Sequence, residues 1–393
     1  MAPAAINIKP VEVHNIETAP EKRPRTLKHL LRANHANHSI VYHNLSFDNH
    51  MAHILSSAYL LGADAAHLHH IYDVEASELE PWKESPNEIL LSDWRDYLGD
   101  KHYQRAYIDF YEDQLALRFS YDWKKLVEEF MFNGKNPLVN GLIGGLGHPL
   151  IHLGYAFEID NREVAIEALA LSSVQYDFLH KYIDDPSYTK PSSFKMTSPT
   201  ELLNKLAADE RFDGLFKRPG FGNIDTIFKK HEALLLEYWN AWELADPTRQ
   251  FEESQEAAVR LLVATVTNGT HAYNFFTVHL LTTSHAIRIL LPYIPARFHA
   301  NVVREWWLLA LAVYVANLRP RIDPDNVPAD LKGKGWSYVE DKALRGPWAT
   351  DAHFVKAVRA MREAALTWGD VHEQYLAAAV RFVDDFEGWV FGG

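Results

Sequence analysis

From Thr26 onward the apolar residues recur mainly three and four positions apart, as in Leu27, Leu30 and Leu31, and again in Met51, Ile54, Leu55 and Tyr59. This is the period of a helix that buries one face. Strand-like alternation is nearly absent. The pattern predicts an all-α fold: a single large helical domain over residues 26–393, with long loop insertions around a central histidine-rich site. Residues 306–318 are apolar except at Asn317. They predict a buried helix, being shorter than the roughly 20 residues that cross a bilayer. Residues 1–25 carry Pro3, Pro10, Pro20 and Pro24 with little periodicity and predict a disordered or loosely docked arm. Two polar stretches, 184–222 and 319–347, predict long loops of the kind that serve as lids or binding loops and set substrate choice.

Composition narrows the function. A net charge of −13 is the wrong sign for a partner of nucleic acid or of an anionic membrane surface. The chain has no cysteine, which removes disulfide frameworks, thiolate zinc sites, iron–sulfur clusters and cysteine nucleophiles together. Any metal must be held by nitrogen or oxygen. There are 21 histidines, ten of them between His14 and His70, and histidine is the commonest metal ligand. The N-terminus has Glu12, Glu17 and Glu21 and no apolar signal core, so a cytosolic protein is expected. Nothing in the pattern fixes an oligomeric state.

Four clusters carry candidate chemistry. Glycines at 141, 144, 145 and 147 precede His148 and Pro149, which predicts a helix starting near His148 with His148 and His152 one turn apart on one face. The glycine run lacks the spacing of a dinucleotide fingerprint and follows no strand. His50 and His53 share a helix face, while His67, His69 and His70 read as surface residues. Residues 268–292 predict a central helix with His271 and His285 on one stripe and His279 displaced from it. Thr350 or Asp351 can cap a helix bearing His353 and Lys356 among small neighbours. A buried Lys356 could act as a base, form an imine, or take up carbon dioxide and become an anionic ligand. Plainer readings stand beside these: surface or capping residues for His148 and His152, one core and one exposed residue for His50 and His53, and structural hydrogen bonds to a neighbouring helix for the histidines of 268–292.

Taken together, Asn49-His50-x-x-His53, Gly-His148-Pro-Leu-Ile-His152-Leu-Gly-Tyr, His279-Leu-Leu-Thr-x-x-His285-Ala-Ile-Arg and Asp351-x-His353-x-x-Lys356 resemble the questin oxidase-like family of fungal polyketide pathways. The resemblance spans most of the chain. It implies an oxygenase that opens a ring of an anthraquinone or related aromatic polyketide with O2, by Baeyer–Villiger insertion or dioxygenase cleavage. It further implies a non-haem Fe(II) held by His50, His148, His152, His285 and a carboxylated Lys356. His53, His279 and His353 then orient ligands or substrate, or stand in as alternate ligands. The substrate pocket is expected near the helices of Trp306-Trp307 and of Tyr107, Phe110 and Tyr111. Rival readings are an NADPH-dependent Baeyer–Villiger monooxygenase, flavin-using or metal-free, a zinc or manganese hydrolase, and a non-catalytic helical scaffold. In the iron reading NADPH remains a candidate reductant.

Overall fold

The structure is a computed structural model that describes residues 5–328 and 330–391. Among these residues are seventeen α-helices and only four strands, each of two residues, so the all-α expectation holds. Helices α1 (Lys22–Asn37), α2 (Met51–Leu60) and α3 (Ala65–Ala76) pack together, and α4 (Gln104–Phe119) and α5 (Trp123–Phe132) both lie against α7 (Arg162–Val174). The centre of the molecule is α6 (His148–Ile159), which runs between α7 and α13 (Phe275–Leu290). All but one or two residues of α6, α7 and α13 are buried or nearly so, which is why these segments read as apolar on every side.

The remaining helices wrap this centre. They are α8 (Lys181–Asp184), α9 (Pro199–Ala207), α10 (Gly222–Lys230), α11 (Glu232–Ala241), α12 (Pro247–Val263), α14 (His299–Ala316), α15 (Trp336–Arg345), α16 (Ala352–Trp368) and α17 (Gln374–Asp385). Helix α16 closes the core by packing on α2, α13 and α17. Strands β1 (Val41–Tyr42) and β2 (Phe47–Asp48) form a short antiparallel pair just before α2. Strands β3 (Tyr273–Asn274) and β4 (Trp389–Val390) pair in parallel and draw the C-terminal segment across the start of α13.

Three local results explain how the site is placed. Helix α6 begins where predicted because Gly147 adopts φ +77°, a left-handed turn; a Cβ there would stand 2.3 Å from the Thr283 methyl of α13. At Gly144 a Cβ would stand 2.1 Å from the Gln175 carbonyl oxygen, so this loop passes closer to its neighbour than any side chain permits. Between α6, α13 and α16 lies a buried ionic network: Arg359 pairs with Glu158, its other nitrogen reaches Glu363 at 3.2 Å, and Arg288 lies 3.6 Å from Glu363. Such a network holds its helices in one register, because removing one partner strands a buried charge at a cost of about 3–5 kcal/mol.

The two long stretches expected to be loops are partly helical. Within 184–222, Ser198 caps the backbone N–H of Glu201, Pro199 occupies the first turn, and Leu202, Leu203 and Leu206 make the buried face of α9. A helix-start signal was present there, masked by the polar composition around it. Within 319–347, Gly335 precedes α15, whose buried residues are Val339, Ala343 and Leu344. Near the N-terminus, Ile6 and Ile16 are buried, and the N–H groups of His14 and Ile16 donate to the carbonyls of Glu158 and Ile159 at the end of α6.

Gly147→Ala is expected to destabilise the protein by about 2 kcal/mol or more, since it adds both a left-handed penalty and an overlap with Thr283. Denaturant melts of wild type and variant would measure this, and an unchanged midpoint would show that the start of α6 can absorb the extra carbon.

Candidate metal centre

Four helices bring one imidazole each to a common point, and each does so at or near its N-terminus. His50 is the residue before α2, His148 opens α6, His279 lies in the second turn of α13 and His353 in the first turn of α16. One ring nitrogen from each lies within 4.8 Å of all the others. His148 Nε2 and His50 Nε2 are 2.9 Å apart, and His353 Nε2 and His279 Nε2 are 3.2 Å apart. Two tautomers follow from the backbone. His148 Nδ1–H donates to the Gly145 carbonyl at 2.5 Å, and His279 Nδ1–H donates to the Phe275 carbonyl at 2.9 Å. The Nε2 atom of each ring therefore presents a lone pair to the shared space. A carboxylate supports the first of them, with Asp48 Oδ2 lying 3.4 Å from His148 Nδ1.

Lys356 stands one turn beyond His353 on α16, is 0% exposed, and its Nζ has no hydrogen-bond partner among the described residues. Burial pushes its pKa down to about 7, against the pull of Asp351, Asp48 and Glu75. The same burial, reinforced by the Lys356 charge, holds His50, His53 and His353 well below the usual imidazole range. His279 is depressed as far by burial, then by His148 and Lys356. Helix N-termini carry partial positive charge, which also opposes protonation at this point. The group is thus a set of neutral nitrogen donors around a buried amine, and it fits a borderline divalent cation such as iron or zinc.

Of the residues singled out by sequence, the structure brings together His50, His148, His279 and His353, with Lys356 close enough to lower the pKa of each. It does not bring His152 or His285 to that point. His152 is one turn past His148 but directs Nδ1 to His53 at 3.1 Å and Nε2 to Glu167 at 2.8 Å. His285 is six residues beyond His279, roughly 120° around α13 and about 9 Å along it. It faces Arg288 and Arg359, and neither ring nitrogen is bonded among the described residues. His53 sits beside the group, its ring 5.3 Å from that of His50 and 6.1 Å from that of His148.

The aromatic wall is also different from the one expected. Trp306 Nε1 donates to the Leu280 carbonyl, Trp307 packs on Trp242, Tyr107 donates to the Trp94 carbonyl and Tyr111 bonds Ser173, all inside the core. The rings against the centre are Phe275, 4.5 Å from His353 and 5.0 Å from His279, and Trp389, 6.1 Å from His353. Phe391 stacks over Phe275 at 4.5 Å and is itself exposed. Asp351 serves as the cap of α16, accepting from Phe354 N–H, and also accepts from Trp389 Nε1. Sequence reading missed Asp48, Glu167, Phe275 and Trp389, because only β-pairing and inter-helix contact put them here. The cleft between Val259, Ile322 and Tyr375 shares no residue with the centre.

With that geometry in place, comparison with known proteins is informative. A profile of the Questin oxidase-like family matches residues 47–361, from the strand before α2 into α16. The chain is 22% identical over 363 residues to the Baeyer-Villiger oxidase AgnL3 of Paecilomyces divaricatus, covering 86% of this chain and 78% of that protein. It is 24% identical to the Baeyer-Villiger oxidase GME11358 of Pestalotiopsis microspora, covering 85% and 79%. It is 23% identical to a questin oxidase of Aspergillus terreus, again covering 85% and 79%. The chain belongs to the questin oxidase-like family, and it is an oxidoreductase. The resemblance read from the four histidine motifs holds, and the inert-scaffold reading falls. No helix among the described residues is long and apolar enough to cross a membrane.

The depressed imidazoles set a pH dependence. His50, His53, His148, His279, His285 and His353 all have folded pKa values below the 6.5 of a free side chain, mainly through burial. The unfolded chain therefore binds more protons than the folded one below that pH, and the stability these groups contribute is present above about pH 6.5 and lost beneath it. Other groups oppose them: His271 is raised by its bond to the Asp385 carbonyl, and burial raises the carboxyls of Glu75, Glu158, Asp177 and Glu305. His35 is held up to about 10, because its hydrogen bonds to Glu112 and Glu167 outweigh its burial, so its contribution is full below pH 6.5 and fades toward pH 10. The contribution of these six imidazoles in the metal-free protein is therefore expected to fall between about pH 7.5 and 5.5, by up to about 1.4 kcal/mol per imidazole per pH unit. Denaturant melts of chelated wild type and His285→Asn would check this: the stability difference is expected to shift in the variant's favour as pH falls, and a difference that stays constant would contradict it.

Proposed function

We propose that the protein is an oxygenase that uses O2 to open a ring of an anthraquinone or related aromatic polyketide at a non-haem iron. The observation that carries this reading is the convergence of four neutral imidazoles on one point beside an unpartnered, buried amine. In this reading the ligands are His50, His148, His279 and His353, in place of a set including His152 and His285. Ferrous iron bound there would supply the one-electron chemistry with dioxygen that no amino-acid side chain provides.

The chain's own residues have definite tasks in this proposal. The Nδ1–H bonds of His148 and His279 to backbone carbonyls fix the ring orientation and keep Nε2 free as a donor. Phe275, Trp389 and Phe391 offer flat apolar faces beside His353 and His279, suited to hold a planar polycyclic substrate edge or face on. The apolar packing around α6 and α13 keeps water from the reacting ring. Lys356, neutral for part of the time near pH 7, can attack carbon dioxide through its nitrogen lone pair. It forms an N–C bond and releases one proton, leaving a carbamate anion that balances the charge of a divalent ion among neutral ligands.

A second reading, oxygen insertion of the Baeyer–Villiger type, is favoured by the names of the relatives, and in it NADPH would supply the electrons. One set of measurements separates the two. Protein purified without chelator is expected to hold near-stoichiometric iron by elemental analysis. His148→Ala, His353→Ala and Lys356→Ala are expected to weaken iron binding by at least roughly 10- to 100-fold, while His285→Ala retains it. Metal-free wild type that still oxidises an anthraquinone while consuming NADPH would sink the iron reading and establish the second.

A further inference from the structure

Beside the centre begins an unbroken series of hydrogen bonds that the chemistry above does not use. His53 Nε2 lies 3.1 Å from His152 Nδ1, and His152 Nε2 lies 2.8 Å from Glu167 Oε2. Glu167 Oε1 lies 2.9 Å from His35 Nδ1, and His35 Nε2 lies 3.1 Å from Glu112 Oε1. The series passes from α2 to α6, α7, α1 and α4. Its first four members are buried, and the Glu112 side chain is 44% exposed. A histidine that only satisfies a core needs one bond. Here His152 and His35 each engage both ring nitrogens, Glu167 engages both oxygens, and the series ends on a carboxylate in water.

We propose that His53, His152, Glu167, His35 and Glu112 form a proton relay between the histidine centre and solvent. The proposal rests on the oxygenase reading only for what the proton is used for; the connectivity stands by itself. Oxidation of a hydroxylated ring by O2 releases and consumes protons, and a dry centre must exchange them with water through some path.

The bonding pattern sets the hydrogen positions. Glu167 is ionised, its pKa brought down to about 2 because its bonds to His152 and His35 outweigh its burial, and His35 is an imidazolium. His152 therefore donates Nε2–H to Glu167 and accepts at Nδ1 from His53. His53 Nδ1 is left with a lone pair and no partner among the described residues. A proton entering at the inner end passes through His53 and His152 as an exchange of tautomers, N–H bonds breaking on one side of each ring as they form on the other. Neither ring has to carry a charge in the dry core. The proton settles on Glu167. Once that carboxylate is neutral, one of the two carboxylates that hold His35 charged is gone, and His35 gives its Nε2 proton to the other, Glu112, and so to water. One proton enters, one leaves, and no electron moves. The groups that titrate are the outer three, whose hydrogen bonds reach none of His50, His148, His279 or His353. Arg105 and Arg162 face Glu112 from α4 and α7, and Arg32 of α1 is tied to Glu17 and Glu163.

The test is the rate at which the His152 ring N–H exchanges with water, followed by NMR in the full-length protein carrying isotope-labelled histidine. Wild type is expected to exchange this buried proton much faster than the Nδ1–H of His279, which is equally buried but off the series. Glu112→Gln and Glu167→Gln are expected to slow the His152 exchange at least roughly tenfold and to leave His279 unchanged. Glu112 is partly exposed, so its glutamine variant keeps the fold, which its melting temperature would verify. Unaltered His152 exchange in both variants would overturn the relay. In turnover, Glu112→Gln is expected to lower kcat with KM unchanged and to be rescued by added imidazole; lost activity without rescue would indicate a merely structural role. Wild type that turns over no anthraquinone would count against the oxygenase reading alone, since the exchange rates decide the relay without it.

Discussion

His53, His148, His279, His353 and Lys356 are shielded from water, with His50 at the half-buried edge of the group, and that shielding governs everything around it. In water the lysine, and the imidazoles below about pH 6.5, would hold protons and repel one another. Inside the bundle, desolvation keeps the imidazoles neutral and brings the amine to the edge of neutrality. The result is a concentration of lone pairs with too few hydrogens to bridge them, which is costly unless a cation or a protonated partner fills the space. A bound metal ion would satisfy such a set, since neutral imidazole nitrogens are good donors to one.

The fold is arranged to meet that cost. Four helix starts point at one place, so the backbone itself opposes protonation there. About one helical length away, the network of Glu158, Arg288, Arg359 and Glu363 binds α6, α13 and α16 to one another with opposite charges. The two polar zones of the core are therefore different in kind: one is a set of like groups kept apart from protons, the other a set of unlike charges locked in pairs. The second holds in register the helices that carry the first. Between the centre and the surface, the Glu167–His35 ion pair is a third zone, in which a buried carboxylate and an imidazole hold each other charged.

The C-terminal segment adds the last piece. The β3–β4 pairing sets Trp389 beside His353 and Phe391 over Phe275, so residues far apart in the chain make the apolar cover of the centre. Trp389 is anchored by the same Asp351 carboxylate that caps α16. The apolar cover and the start of the helix that carries His353 are thus mechanically linked through one side chain.

Helical periodicity, the Gly-to-Pro start of α6, the cap at Asp351 and the absence of cysteine are local properties, and each was legible in the chain because each depends on residues within a turn or two of one another. The four motifs that hold the family resemblance are equally local. Choosing among His50, His53, His148, His152, His279, His285 and His353 is a different matter. A pair at i, i+4 such as His148 and His152 shares a helix face, but helix crossing decides which member meets α2 and α13 and which meets Glu167 of α7. His279 and His285 are alike in burial and composition, and only the rotation of α13 against α6 and α16 turns one to the centre and the other to the ionic network. The sequence by itself determined that helices would present imidazoles; the tertiary packing decided which imidazoles share a point, since that depends on distances between helices that no spacing along one helix contains.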